Sequence, residues 1–176
     1  MGVAVTLAGI AEAKTFRYAT TGDVLGLDPH ANNEGPTNTM KGNLYGRLLH
    51  RKADLSLEPD LATKWEKLDA TTWRFSLRQG VKFHNGNAFN ADDVVFSYNR
   101  QTQESSDMSF ALATVKEVRK VDDHTVDIIT KGPDPILLLN MPIFYIVDKE
   151  WTEANNAFEV VRASGSTNFA NVNANG

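Results

Sequence analysis

Residues 71 to 100, TTWRFSLRQGVKFHNGNAFNADDVVFSYNR, change their hydrophobic period within one short stretch. Trp73, Phe75 and Leu77 alternate with Thr72, Arg74, Ser76 and Arg78, the period of two that a strand with one wet face requires. Gln79-Gly80 and His84-Asn85-Gly86 are turn sequences, so Val81-Lys82-Phe83 lies between two reversals of the chain. Asn90 then stands where a helix cap belongs, its side chain placed to accept from the backbone N–H of Asp93. Asp92 and Asp93 put negative charge at the helix end that the dipole favours, and Val94, Val95 and Tyr98 form the apolar stripe. A small antiparallel sheet with a helix packed on it is the structure this stretch asks for.

The flanking sequence extends the pattern. TFRYAT, residues 15 to 20, alternates as a strand, and DPHANNEGPTNT after it has a loop's composition. Met40, Leu44, Leu48 and Tyr45, Leu49 recur at helical spacing, so a helix is expected from Asn38 to Leu49 with Asn38 or Thr37 as its cap. Leu57 to Ala62 reads as a loop or a short helical turn. Val115 to Val121 and Thr125 to Thr130 read as a hairpin joined by Asp122-Asp123-His124, which Gly132, Pro133 and Pro135 end. ILLLNMPIFYIV, residues 136 to 147, is a buried helix or strand, too short to cross a bilayer. SGSTNFANVNANG at residues 164 to 176 reads as a loop.

No catalytic centre emerges from these segments. His30, His50, His84 and His124 are scattered, with no spacing that puts two ligands on one helix face, and no metal site is expected. His84 and His124 fall in turns, where an imidazole is simply solvated. Asp92 and Asp93 are adjacent on a helix and diverge by about 100°, so they do not act as an acid/base pair. There is no G-x-S-x-G elbow and no phosphate-binding glycine loop. The 176 residues contain no cysteine, which excludes disulfides, thiolate zinc and a lipid-modified N-terminal cysteine. With 18 basic against 22 acidic residues and no basic stripe, nucleic acid is not an expected partner. Val3 to Ile10 followed by Ala11-Glu12-Ala13 has the form of a signal-peptide remnant, residues 1–13, and implies export.

Six motifs in order give the chain a family resemblance. They are Leu27-Asp28-Pro29, Asn43-Leu44-Tyr45, Pro59 to Trp65, Trp73 to Arg78, Lys82 to Gly86 and Ala91 to Ser97. In combination they resemble the N-terminal part of the family 5 extracellular solute-binding proteins, the dipeptide-, oligopeptide- and nickel-type binding components of ABC importers. The resemblance implies an α+β (mixed α/β) fold of the periplasmic binding protein type II kind, N-terminal part only, with antiparallel hairpins and packed helices. On that analogy residues 14–45 start lobe I, residues 46–163 make most of lobe II, and residues 164–176 begin the return to lobe I.

The same resemblance implies a periplasmic monomer without enzymatic activity or cofactor, binding di- or oligopeptides and engaging ABC permease subunits in the inner membrane. It places a ligand-contacting loop after the Leu-Asp-Pro segment. Here that loop is Ala31-Asn32-Asn33-Glu34-Gly35, with Glu34 to accept from a ligand amine and Asn32 and Asn33 to hydrogen-bond a peptide backbone. Family members are more than twice as long, so the chain is expected to be an N-terminal fragment without the cleft's second jaw. Nickel, haem or a sugar-like solute remain alternative ligands, and an independent small interaction domain is the alternative from another class.

Overall fold

The computed structural model describes residues 22–162 and 168–176. The signal-like segment and the strand expected over residues 15 to 20 lie outside the described residues. At the centre is a four-stranded antiparallel sheet of order β3-β4-β6-β5, formed by β3 (Ala62–Lys67), β4 (Thr72–Leu77), β5 (Val115–Asp122) and β6 (Thr125–Thr130). The alternation read from the sequence sets its register. Phe75 pairs with Val126 and Trp73 with Ile128, while Val118 faces Ile128 from the other side. Phe75, Val118, Val126 and Ile128 are buried on the inner face. On the outer face Asp127 accepts from Arg74 Nε at 2.7 Å and from Arg119 Nη2 at 2.9 Å. These hydrogen bonds, Arg74's first, hold the Asp127 carboxyl below its ordinary pKa. His124 closes the β5–β6 turn half-buried rather than solvated.

Helix α2 (Ala91–Gln101) packs on β5 and β6 with Val94 fully buried in the core. Its start is a capping box. The Asn90 side chain accepts from Asp92 N–H at 2.7 Å, and Asp93 Oδ2 accepts from Asn90 N–H at 2.9 Å. The preceding His84-Asn85-Gly86 turn forms as expected, with Gly86 at φ +94°, a conformation that a side chain would strain.

Four further expectations need correction. Helix α1 runs over Gly35–Leu44, not from Asn38 to Leu49. Glu34 caps it, Pro36 sits in its first turn, and Tyr45 has already turned extended at φ −117°. Beyond it Gly46 lets Leu61 approach so closely that a Cβ would stand 2.8 Å from Leu61 Cδ1. The face that α1 buries is Thr37 and Lys41, because both polar side chains have partners in the loop beneath. Leu57 to Ala62 is not a loop: β1 (Leu49–Arg51) and β2 (Leu57–Pro59) pair antiparallel, Pro59 standing at a strand end where its missing N–H costs no ladder bond.

Residues 136 to 147 are neither one helix nor one strand. Pro142 confines the helical part to α3 (Leu137–Asn140) and a 3₁₀ turn at Met141–Ile143, after which Tyr145 bridges to Arg47. Helix α4 (Lys149–Ala154) follows, capped by Asp148. In the expected terminal loop, residues 169–172 form α5 (Phe169–Val172).

The segment from Leu25 to Asn32 has no regular structure, yet it is pinned from several sides. Arg100, on α2, makes a two-pronged ion pair with Asp28, Nη1 to Oδ1 at 2.8 Å and Nη2 to Oδ2 at 2.6 Å. Both side chains are almost wholly buried, at 1% and 0% exposure. Arg100 Nη1 also donates to His30 Nδ1 at 3.0 Å, and its Nε donates to the Ala157 carbonyl at 3.1 Å. His30 Nε2–H in turn donates to the Tyr145 carbonyl at 3.0 Å, and Ser106 Oγ donates to the His30 carbonyl at 2.8 Å. Burial pushes the His30 imidazole down to about 3, and the Arg100 cation pushes the same way, so the ring is neutral. Burial would raise the Asp28 carboxyl, but the hydrogen bonds and charge of Arg100 overcome it and hold Asp28 below its ordinary value, ionised.

Removing one partner of a buried pair leaves an unpaired charge in an apolar surround. Arg100→Met is therefore expected to cost about 3–5 kcal/mol in urea denaturation, and Arg100→Met combined with Asp28→Leu less than the single change. Asp93 provides a pH test. Burial raises its carboxyl to about 6, against the opposing backbone bonds from Lys149 and Asn90. The native state thus takes up a proton as pH falls below about 6 that the unfolded chain takes up only near 3.8. This group's stabilisation is complete below the lower value and lost as pH rises through the upper one. Melting temperatures across that window should show Asp93→Asn gaining on the wild type as pH rises, because the variant carries no buried charge.

Candidate functional site

The loop expected to meet ligand, Ala31 to Gly35, lies between the buried Asp28–Arg100–His30 cluster and the start of α1. Ala31 is fully buried and its carbonyl accepts from Asp107 N–H at 3.4 Å, so the loop leaves the core at a fixed point. Asn32 is mostly buried, and its carbonyl accepts from Lys41 Nζ. Asn33 is exposed, with Oδ1 accepting from Asn38 Nδ2 at 2.8 Å. Glu34 Oε1 accepts from Thr37 N–H at 3.0 Å and from the Thr37 hydroxyl, which makes this carboxylate the cap of α1. Gly35 is exposed, and nothing would meet a side chain there within 4 Å.

The four residues are thus brought together on one short turn, with their backbone order fixed by α1. Chemically the turn offers a partly exposed carboxylate with one oxygen engaged, an exposed carboxamide and an open glycine. That set suits an ammonium and the amides of an extended chain. Sequence reasoning missed Lys41, which lies beneath the turn at 1% exposure. Burial pushes its ammonium down to about 8, while the carboxylates of Asp28, Glu34 and Asp107 draw it back up. Its position four residues after Thr37 on the buried face of α1 was the available signal, hidden because both residues are polar.

Other chemistry has little support here. Among the described residues no group of three or more His, Asp or Glu side chains is placed to hold a metal ion. His50 faces Glu58 at 3.9 Å on the surface, and exposed His84 accepts from Gly176 N–H. Asp92 faces solvent and pairs with Lys120 at 2.8 Å, while Asp93 caps α2, so the two carboxylates do not converge. A cavity of about 280 Å³ opens at the far end of α1, walled by Tyr45, Arg47, Phe83, His84 and Gly176 among others, and the 31–35 turn takes no part in it. Among the described residues no helix is long and apolar enough to cross a membrane.

Comparison with known proteins agrees with this architecture. Residues 56–176 match the family model of the middle region of bacterial extracellular solute-binding proteins, family 5. The chain is 33% identical over 176 aligned positions to the dipeptide-binding protein of Escherichia coli, covering 86% of this chain and 33% of that one. It is 34% identical over 155 positions to heme-binding protein A of Haemophilus influenzae, covering 75% and 28%. Among solved structures, the periplasmic binding protein DppA of Helicobacter pylori in complex with the peptide STSA superposes with a TM-score of 0.68 at 27% identity, over 76% of this chain and 31% of that one. The chain spans about a third of the length of the curated relatives it matches. These relatives are solute-binding proteins, not enzymes, and the chain belongs to the bacterial extracellular solute-binding proteins of family 5.

Proposed function

We propose that the chain is the N-terminal part of the substrate-binding component of an ABC importer for di- or oligopeptides, acting in the periplasm and delivering its ligand to the permease subunits in the inner membrane. The observation that carries this reading is the identity of one residue in three with the E. coli dipeptide-binding protein over most of the chain. The 31–35 turn supports it, because a carboxylate beside an exposed carboxamide matches the amino terminus and first amide of a short peptide. Residues 14–45 and 164–176 belong on this reading to lobe I, and 46–163 to lobe II. The ligand is enclosed when a second jaw closes over the turn, which is how such a site removes most of a ligand's surface from water.

The reading makes a two-part prediction for calorimetric titration with an equimolar mixture of dipeptides. In the full-length protein, Glu34→Gln keeps an oxygen to cap α1 but removes the charge, and Asn33→Ala removes the carboxamide. Each is expected to weaken binding by about five- to tenfold, the worth of one hydrogen bond or exposed charge contact. Residues 14–176 alone, with one jaw, are expected to bind only weakly. Micromolar binding by that piece, or unaltered affinity in both variants, would contradict the proposal.

A further inference from the structure

We propose that Lys41 is the positioning residue of the 31–35 turn, its buried side chain holding Asn32 and Asn33 in the arrangement that meets ligand, an inference that rests on the assignment of that turn as a ligand contact. Lys41 Nζ donates to the Asn32 carbonyl and, at 3.4 Å, to Asn38 Oδ1. Asn38 passes the constraint on, its Nδ2 donating to Asn33 Oδ1 at 2.8 Å. One ammonium therefore reaches both asparagines of the turn, the first through its backbone and the second through a side chain one helical turn before Lys41.

The charges around Lys41 explain why it is available for this. The carboxylates that act on it are Asp28, Glu34 and Asp107, and each already has a partner: Arg100 at 2.6 Å, the Thr37 N–H at 3.0 Å and Arg162 at 2.8 Å. Arg100 engages both oxygens of Asp28, and His30 beside it is neutral. With the carboxylates engaged, the hydrogen-bond acceptors of the ammonium are the turn itself and Asn38. A cation buried without its own carboxylate is costly, and an apolar side chain of similar length would fill the space at less cost. What the lysine adds is direction, an ammonium that donates from beneath to the Asn32 carbonyl of the turn and to Asn38 at its flank.

Loss of the Lys41 proton, at about pH 8, replaces charge-assisted bonds by weaker neutral ones. The effect on global stability has the opposite sign. Between that pH and the ordinary lysine value of 10.5 the unfolded chain keeps a proton that the native state has released, so this group's contribution to stability rises with pH. Loosening of the turn in that range is therefore separable from unfolding.

The test follows the side-chain carbonyl-carbon NMR shifts of Asn33 and Asn38, together with calorimetric affinity for Ala-Ala, in the full-length protein from about pH 6.5 to about pH 9.5. In the wild type both shifts are expected to move with one midpoint near pH 8, and affinity to fall about three- to tenfold across it. Lys41→Met should abolish the titration and bind weakly at every pH. Lys41→Arg, which keeps its proton throughout, should bind at near wild-type strength without the alkaline loss. Shifts that stay flat in the wild type, or titrate equally in Lys41→Met, would overturn the proposal. Absence of Ala-Ala binding at any pH, with both shifts still titrating through Lys41, would overturn the ligand assignment and leave the tether standing.

Discussion

The buried pair between Arg100 and Asp28 is the constraint on which the rest of the structure depends. It joins the last turn of α2 to a segment with no regular structure of its own, and it does so across 72 residues of sequence. A guanidinium spends its donors in fixed directions, so the pair orients as well as attracts. Two of those directions go to Asp28, one to His30 and one to the Ala157 carbonyl. His30 completes the junction by reaching the Tyr145 carbonyl. The segment before α1, the core helix, and the chain on either side of α4 therefore meet at one charged point. Ala31 leaves that point fully buried, and the next four residues inherit their position from it.

Much of the sheet and of α2 was legible because periodicity and local chemistry agreed there. The β4 alternation, the Asn-Gly turn, the Asn90 cap and the hairpin at Asp122 to His124 each have a local cause, and the structure has them where the residues place them. What stayed hidden in the helices has a different cause, the burial of polar side chains. Helix α2 buries Asp93, Ser97, Arg100 and Gln101 beside its apolar stripe, a second face that hydropathy reads as solvent. Each has a partner that lies far away in sequence: Lys149, Val147, Asp28 and Ile143. In α1 the buried pair Thr37 and Lys41 likewise looks like a wet face, so the period of Met40, Leu44 and Leu48 carries the expected helix past Leu44, where the structure ends it. The cap at Glu34 followed by Pro36 was the better local signal for where this helix begins.

The candidate site is a proposal from resemblance, and its construction is seen only in the structure. Residues 32 to 35 read from sequence as a plain polar loop. In the fold they are a turn held from behind by the charged junction, from below by Lys41 and from one end by the cap of α1. Binding on such a turn gains from preorganisation, since the polar groups are ordered before a ligand arrives. On the proposed function that rigidity makes sense, because a ligand closed between two jaws needs one of them already shaped.

The central claim is that this pinned turn touches the transported solute. It is tested most directly by a crystal structure of the full-length protein with a bound dipeptide. The account predicts ligand polar atoms within about 3 Å of Asn33, Glu34 or the backbone of Gly35. A dipeptide enclosed elsewhere, with the 31–35 turn facing only solvent, would contradict it.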